Sequence, residues 1–193
     1  MDRKKAAALL VSAVMSLAVL TACGDSSSGA DSAAASSASS QAVSSKAEEK
    51  PKEYDTTVFT VSVPSGWTAA AVPDLLKQYD GVTNPDQVYV LKGGKTAEEI
   101  YRYPYVWICY YKDAGKYASA RSMYDDTQDI SVTTGARNWE GYTYNSSGYP
   151  GACLTCKEGE SLWVCLFVLE NGENKITLQD SEVSTLLSSL KAK

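Results

Sequence analysis

Histidine is absent from all 193 residues. Its absence removes the commonest general base near neutral pH, the usual zinc ligand and every triad built on imidazole. Basic charge is also in short supply. Eighteen Lys and Arg stand against 23 Asp and Glu, a net charge of −5, so the chain repels phosphate backbones and no nucleic-acid partner is expected. No apolar run reaches the ~20 residues that span a bilayer as a helix. The run Ala6–Leu20 stops short of that length. Between Gly24 and Lys52 there is no aromatic residue, and Val43 is the only larger aliphatic. Such a stretch buries too little surface to offset the entropy of ordering and is expected to be a flexible tether, with a mean reach of roughly 30 Å.

What is present begins with an anchor. Asp2-Arg3-Lys4-Lys5 forms a basic head before the apolar run, the layout of an export signal. Leu20-Thr21-Ala22-Cys23 then resembles the bacterial lipobox, which implies a signal segment over 1–22 and lipid attachment at Cys23. Several acyl chains at ~0.8 kcal/mol per buried methylene hold a protein to a membrane without spanning it. Removing the signal takes away three basic residues and one acidic, leaving a mature chain near −7. The expected organisation is signal 1–22, Ser/Ala-rich tether 23–53 and a single domain over 54–193. The expected location is the extracytoplasmic face of the cell membrane.

Within 54–193 strands are predicted over 58–63, which alternates at period two, over 67–72, 87–92, 105–111, which is apolar on both faces, and over 130–134, 139–144, 151–157, 161–169 and 175–178. Strand 67–72 reads as the return from 58–63 over Pro64-Ser65-Gly66. Short helices are predicted over 74–79, after the capping box Thr96-Ala97-Glu98-Glu99, and over 114–126, where Tyr117, Ala120, Arg121 and Tyr124 recur at helical spacing. A last helix is expected after an Asp180 cap, with Val183, Leu186, Leu187 and Leu190 as its apolar stripe. The fold class is therefore α+β, an antiparallel β-sheet covered by helices. Phe59–Trp67, Trp139–Tyr144 and Leu186–Lys191 resemble the "Pro-x-Gly-Trp" entry, the "G-x-x-Tyr" strand and the terminal helix of PsbP-like and Mog1-like domains. That resemblance implies a curved antiparallel sheet between helical layers. Its members include photosystem accessory proteins, a nuclear-transport cofactor and bacterial lipoproteins, so it implies no single function, and none of their site residues carries over.

Motifs that imitate chemistry do not survive a check of context. Ser188-Ser189-Leu190-Lys191 has the Ser-x-x-Lys spacing but no Lys-Thr-Gly or Ser-Asp-Asn partner. Gly93-Gly94-Lys95-Thr96 ends like a P-loop, but Tyr89 stands where the first glycine belongs. The stretch 80–87 lacks calcium-loop spacing. Asp125, Asp126 and Glu140 are carboxylates with nothing to set their separation. No cofactor or metal is expected, and the chain reads as non-catalytic.

Cysteines and tyrosines carry what remains. Cys153 and Cys156 lie in a predicted strand, about 10 Å apart with side chains on opposite faces, so they should not bond each other. Across the hairpin a three-residue loop sets Cys153 opposite Cys165. A two-residue loop brings Cys156 to the face of Cys165, one diagonal away. Free buried thiols, a Cys153–Cys165 bridge and a metal site all stay open for the four, Cys109 included. Ten of the 13 tyrosines fall between Tyr101 and Tyr149. Tyr142 and Tyr144 share a strand face with Glu140, opposite Trp139, and are the candidate ligand contacts. Two functions follow. One is a lipid-anchored envelope domain that binds or helps assemble a protein partner, marked by a broad exposed apolar patch. The other is a tethered receptor for a small molecule or glycan, marked by a concave aromatic pocket with converging polar groups.

Overall fold

The computed structural model describes residues 50–77 and 81–193. The expected signal segment, Cys23 and all of the tether before Lys50 lie outside the described residues. In chain order the elements are β1 (Lys52–Asp55), β2 (Phe59–Val63), β3 (Trp67–Pro73), β4 (Thr83–Lys92), β5 (Tyr105–Tyr111), β6 (Gln128–Thr134) and β7 (Arg137–Ser146). Then come β8 (Tyr149–Glu158), β9 (Ser161–Val168), β10 (Glu170–Asn171), β11 (Asn174–Lys175), α1 (Ser181–Ser189) and β12 (Lys191–Ala192).

Seven strands form one sheet in the order β3-β4-β5-β9-β8-β7-β6, with every neighbouring pair antiparallel. It is two meanders, β3-β4-β5 and β6-β7-β8-β9, fused along β5 and β9. All three hairpins of the second meander close over two residues. Between β7 and β8, Ser147 and Gly148 both take positive φ (54° and 89°), the pair of left-handed residues a type I′ turn needs.

Alternation gives this sheet two apolar faces. The first packs Val88, Val90, Val106, Ile108, Trp139, Leu154, Trp163 and Phe167 against a second layer made of α1 and the small sheet β1-β2-β12. Phe59, Val61 and Val63 point down from β2, while Val183, Leu186, Leu187 and Leu190 point down from α1 and its end. Each such side chain taken fully out of water contributes about 1.5–3 kcal/mol. The rings of Phe59 and Trp163 meet edge to face, 5.3 Å between centroids. The layers are also tied by polar groups. The Arg137 guanidinium on β7 donates to the Leu187 and Ser188 carbonyls at the end of α1 and to Glu158 on β8. Trp163 Nε1 donates to the other Glu158 oxygen at 3.1 Å.

The antiparallel sheet is as the alternation predicts, but its cover differs. One α-helix and a small sheet lie over one face, and a non-helical segment crosses the other. Strand 67–72 does not return along β2. The Pro64–Trp67 turn, with Gly66 at φ +77°, carries the chain from the upper layer into the main sheet, where β3 pairs with β4. The tether's last residues, Lys52 and Glu53, are part of β1. The described part of 74–79 is a turn, not a helix. The helix expected over 114–126 is replaced by two single 3-10 turns, Ala114–Lys116 and Arg121–Met123. Asp113 Oδ1 accepts from the Gly115 N–H and Ser119 Oγ from the Arg121 N–H. These local acceptors compete with the helical ladder. The strand expected over 175–178 shrinks to the β10–β11 bridge, because Ile176 and Leu178 are anchored in the core without a strand partner. Asp180 does occupy the N-cap position, but its carboxylate accepts from the Thr177 N–H and makes no bond into α1. Glu99 Oε2 does accept from the Thr96 N–H (3.1 Å), holding the 3-10 turn Ala97–Tyr101. No helix among the described residues is long and apolar enough to cross a membrane.

Candidate functional site

The second face of the main sheet is where tyrosine collects. Strand alternation presents Trp107, Cys109 and Tyr111 from β5, Leu162, Val164 and Leu166 from β9, Cys153 from β8, and Tyr142 and Tyr144 from β7. Sixteen residues, Lys112–Thr127, leave β5 in the middle of the sheet and cross this face to reach β6 at its edge. A crossover is the only way to join two strands that point the same way. The strap presses Tyr117 and Tyr124 onto the face. Tyr124 stacks on Tyr144 with centroids 4.2 Å apart and planes 20° apart. Tyr117 Oη lies 3.5 Å from Cys153 Sγ. Arg121 sits over the Tyr142 ring at 5.3 Å and pairs with Asp129 at 2.6 Å.

The strap leaves a groove on each side. The first, about 380 Å³, is lined by Tyr101, Tyr105, Trp107, Tyr124, Tyr144, Tyr149, Leu166 and neighbouring backbone, with Ser146 and Asn171 as polar groups. Among the described residues no charged side chain lines it. Its floor depends on Gly151 of β8, because a Cβ there would sit 2.4 Å from Cζ of Tyr144. The Tyr144 ring therefore lies flat across β8, its hydroxyl 3.5 Å from the Phe167 carbonyl oxygen. Trp107 is fixed by donation from Nε1 to Gln87 Oε1 at 3.1 Å, and its ring meets Tyr89. Tyr101 and Tyr149 stand at the rim, 82% and 53% exposed. The second groove, about 570 Å³, has Arg121, Asp129, Ser131, Glu140, Tyr142 and Thr155 among its lining.

The electrostatics favour neutral groups. Burial, then the proximity of Tyr124 and Tyr105, holds the Tyr144 phenol well above its usual range. Burial also raises the Tyr105 and Tyr89 phenols. Cys109 is pushed up to about 12, by burial first and by Cys153 second. Burial likewise raises Cys153, Cys156 and Cys165. A thiol so placed is protonated at neutral pH and a poor nucleophile.

All four cysteines are free and buried. Glu158 pairs with Ser161 across a two-residue loop, so Leu154, not Cys153, stands opposite Cys165. Cys156 and Cys165 face the main core and Cys109 and Cys153 the tyrosine face, which overturns a Cys153–Cys165 bridge. Among the described residues no group of three Cys, Asp or Glu is arranged to hold a metal ion.

Tyr142 and Tyr144 do share a face, opposite Trp139. The strap separates them: Tyr144 lines the first groove, while Tyr142 lines the second and is only 5% exposed. Asp125 and Asp126 line neither groove, and the carboxylate that shares the second groove with Glu140 is Asp129. Ser188 Oγ donates to the Thr185 carbonyl and Lys191 continues into β12, so the Ser-x-x-Lys spacing is spent on structure. Residues 84–87 belong to β4. Sequence reasoning missed Tyr101, Tyr105, Trp107, Tyr124 and Tyr149 as one wall, since they come from separate elements. The crowding of tyrosine between 101 and 149 was the available signal.

No protein-family model and no curated protein matches the chain. Among solved structures, a protein from Bacteroides thetaiotaomicron, determined at 1.50 Å, is similar with a TM-score of 0.43 and 13% identity, over 76% of this chain. The chain spans 49% of that protein's length.

Proposed function

We propose that this chain is a lipid-anchored, extracytoplasmic receptor that holds an uncharged small molecule or glycan in the tyrosine-lined groove and performs no chemistry on it. The carrying observation is the first groove, concave, aromatic on several sides and free of charged lining residues. Aromatic faces take up the apolar faces of sugar rings, and a few hydroxyl and amide groups fix orientation. The lipid at Cys23 and the tether over 23–53 belong to the same reading. So does the PsbP-like/Mog1-like sandwich, supported by the placing of Phe59–Trp67, Trp139–Tyr144 and Leu186–Lys191 on core elements of both layers.

The test is saturation-transfer NMR with neutral oligosaccharides and with uronic-acid oligosaccharides of equal length. Neutral ligands should bind, and Tyr101→Ala with Tyr149→Ala should weaken them several-fold without moving the melting temperature. Preference for the charged series, or indifference to both substitutions, removes the receptor reading. For the anchor, Cys23→Ala should abolish labelling by an alkynyl fatty acid. The protein-partner reading keeps one observation, the exposed Leu75 and Leu76 in the β3–β4 loop. Crosslinking in intact cells that captures an envelope protein through that loop would favour it.

A further inference from the structure

The sheet has two edges, and they are built differently. β3 is blunted by a register shift at Ala71/Val72 and ends on Pro73. In the small sheet β1 carries Lys52, Glu53 and Asp55, and β12 is two residues long. Bulges, proline, charge and brevity are the devices that keep an edge from pairing. β6, Gln-Asp-Ile-Ser-Val-Thr-Thr, runs seven residues in unbroken register with β7 and has no proline, lysine or bulge.

Its free side can be specified residue by residue. The β6–β7 hairpin closes at Thr134–Arg137 over two residues. The hydrogen-bonded pairs then involve Thr134, Val132, Ile130 and Gln128, and alternation turns the N–H and C=O of Asp129, Ser131 and Thr133 away from β7. No hydrogen bond among the described residues reaches those groups. Ile130 and Val132 pack only partly against the core.

We propose that β6 pairs antiparallel with β6 of a second copy of this chain, about a two-fold axis at Ser131. The segment complements itself in that register. Ser131 meets the copy's Ser131 and Asp129 meets the copy's Thr133, so every outward group finds an outward group. Ile130 lies beside the copy's Val132, which covers the apolar surface left at the edge. The two Asp129 carboxylates stay about 13 Å apart along the strands, and each is paired with Arg121 of its own copy. A register centred on Asp129 would set like charges opposite each other and is disfavoured. Because Asp129 and Ser131 also line the second groove, pairing gives each such groove a wall from its partner.

The register names its own test. Hydrogen-bonded antiparallel partners have Cα atoms about 5.5 Å apart, inside the disulfide range. In the full chain solubilised in detergent, Ser131→Cys should form a disulfide-linked dimer under mild oxidant, several-fold above the unsubstituted chain. Thr133→Cys alone should not, whereas a mixture of Asp129→Cys and Thr133→Cys chains should. Ser131→Pro removes an outward N–H and no bond to β7, a substitution edge strands tolerate. It should therefore turn a dimer in sedimentation velocity into a monomer while the melting temperature stays within a few degrees. A monomeric unsubstituted chain, or equal crosslinking of Thr133→Cys with itself, overturns the proposal.

Discussion

Cys153 and Cys156 sit three residues apart on β8 and serve different layers, one under the tyrosine strap and one in the main core. Their thiols, with those of Cys109 and Cys165, should resist a chromogenic thiol reagent in the folded chain and react together on unfolding. The sign of the pH effect follows from the raised values. Cys109 moves from 9.0 to about 12, so the folded state keeps the proton that the unfolded state releases. Its contribution is complete below about pH 9 and is lost as pH rises towards 12. Urea midpoints should fall across that window, less steeply in Cys109→Ala. Glu158 acts at the other end. Burial alone would raise its carboxyl, but the hydrogen bonds from Arg137 and Trp163 and the Arg137 charge hold it below the usual carboxylate value of 4.5. Its contribution is present above 4.5 and lost as pH falls through the depressed value. Glu158→Gln should cost about 1 kcal/mol at neutral pH and flatten the acid limb of a pH–stability curve. The thiol geometry was legible beforehand, because strand alternation forbids a Cys153–Cys156 bond whatever the fold. The choice between Cys153 and Leu154 opposite Cys165 was not, since it turns on one residue of loop length.

The elements of the tyrosine face depend on two glycines with different tolerance. At Gly151 an added methyl would strike the far end of the Tyr144 ring, which can swing away. At Gly141 it would meet the backbone carbonyl oxygen of Cys153 at 1.8 Å, and backbone cannot yield. Gly151→Ala should thus break the Tyr124–Tyr144 stack, at a cost of about 1–2 kcal/mol. Gly141→Ala should cost about 3 kcal/mol or more, or prevent folding. Chemical denaturation of both variants, with near-ultraviolet circular dichroism for the stack, separates the cases. Equal losses in the two would mean that Tyr144 is not held as described. The strap marks where element reading failed. Tyr117, Ala120, Arg121 and Tyr124 fit a helical stripe, yet the same tyrosines can reach one face from irregular chain. Local bonds donated to Asp113 and Ser119 decided between these. β5 was read without error because apolar residues on both faces leave a seven-residue run no other use.

At the scale of the whole molecule, the antiparallel sheet was legible in strand-like runs joined by hairpin turns, while the assignment of strands to layers was not. Phe59, Val61 and Val63 alternate equally well in either layer, and only the β1 and β12 partners, the latter 131 to 133 residues away, place β2 above the core. The aromatic groove was hidden for the same reason, as its walls meet only after the meanders join. That join has a kinetic side. β5 pairs with β9 between residues 51 to 63 apart in sequence, Tyr111 with Leu162 and Tyr105 with Val168. If β6 to β9 zip first through their two-residue turns, the loop left to close on β5 shrinks to the sixteen-residue strap. That lowers the closure cost by about 1 kcal/mol. The first meander, with longer connections over 74–82 and 93–104, then docks last. Stopped-flow refolding should give a high φ-value for Leu154→Ala on β8 and a low one for Val88→Ala on β4. The strap that divides the tyrosine face is thus also the shortcut by which the sheet assembles.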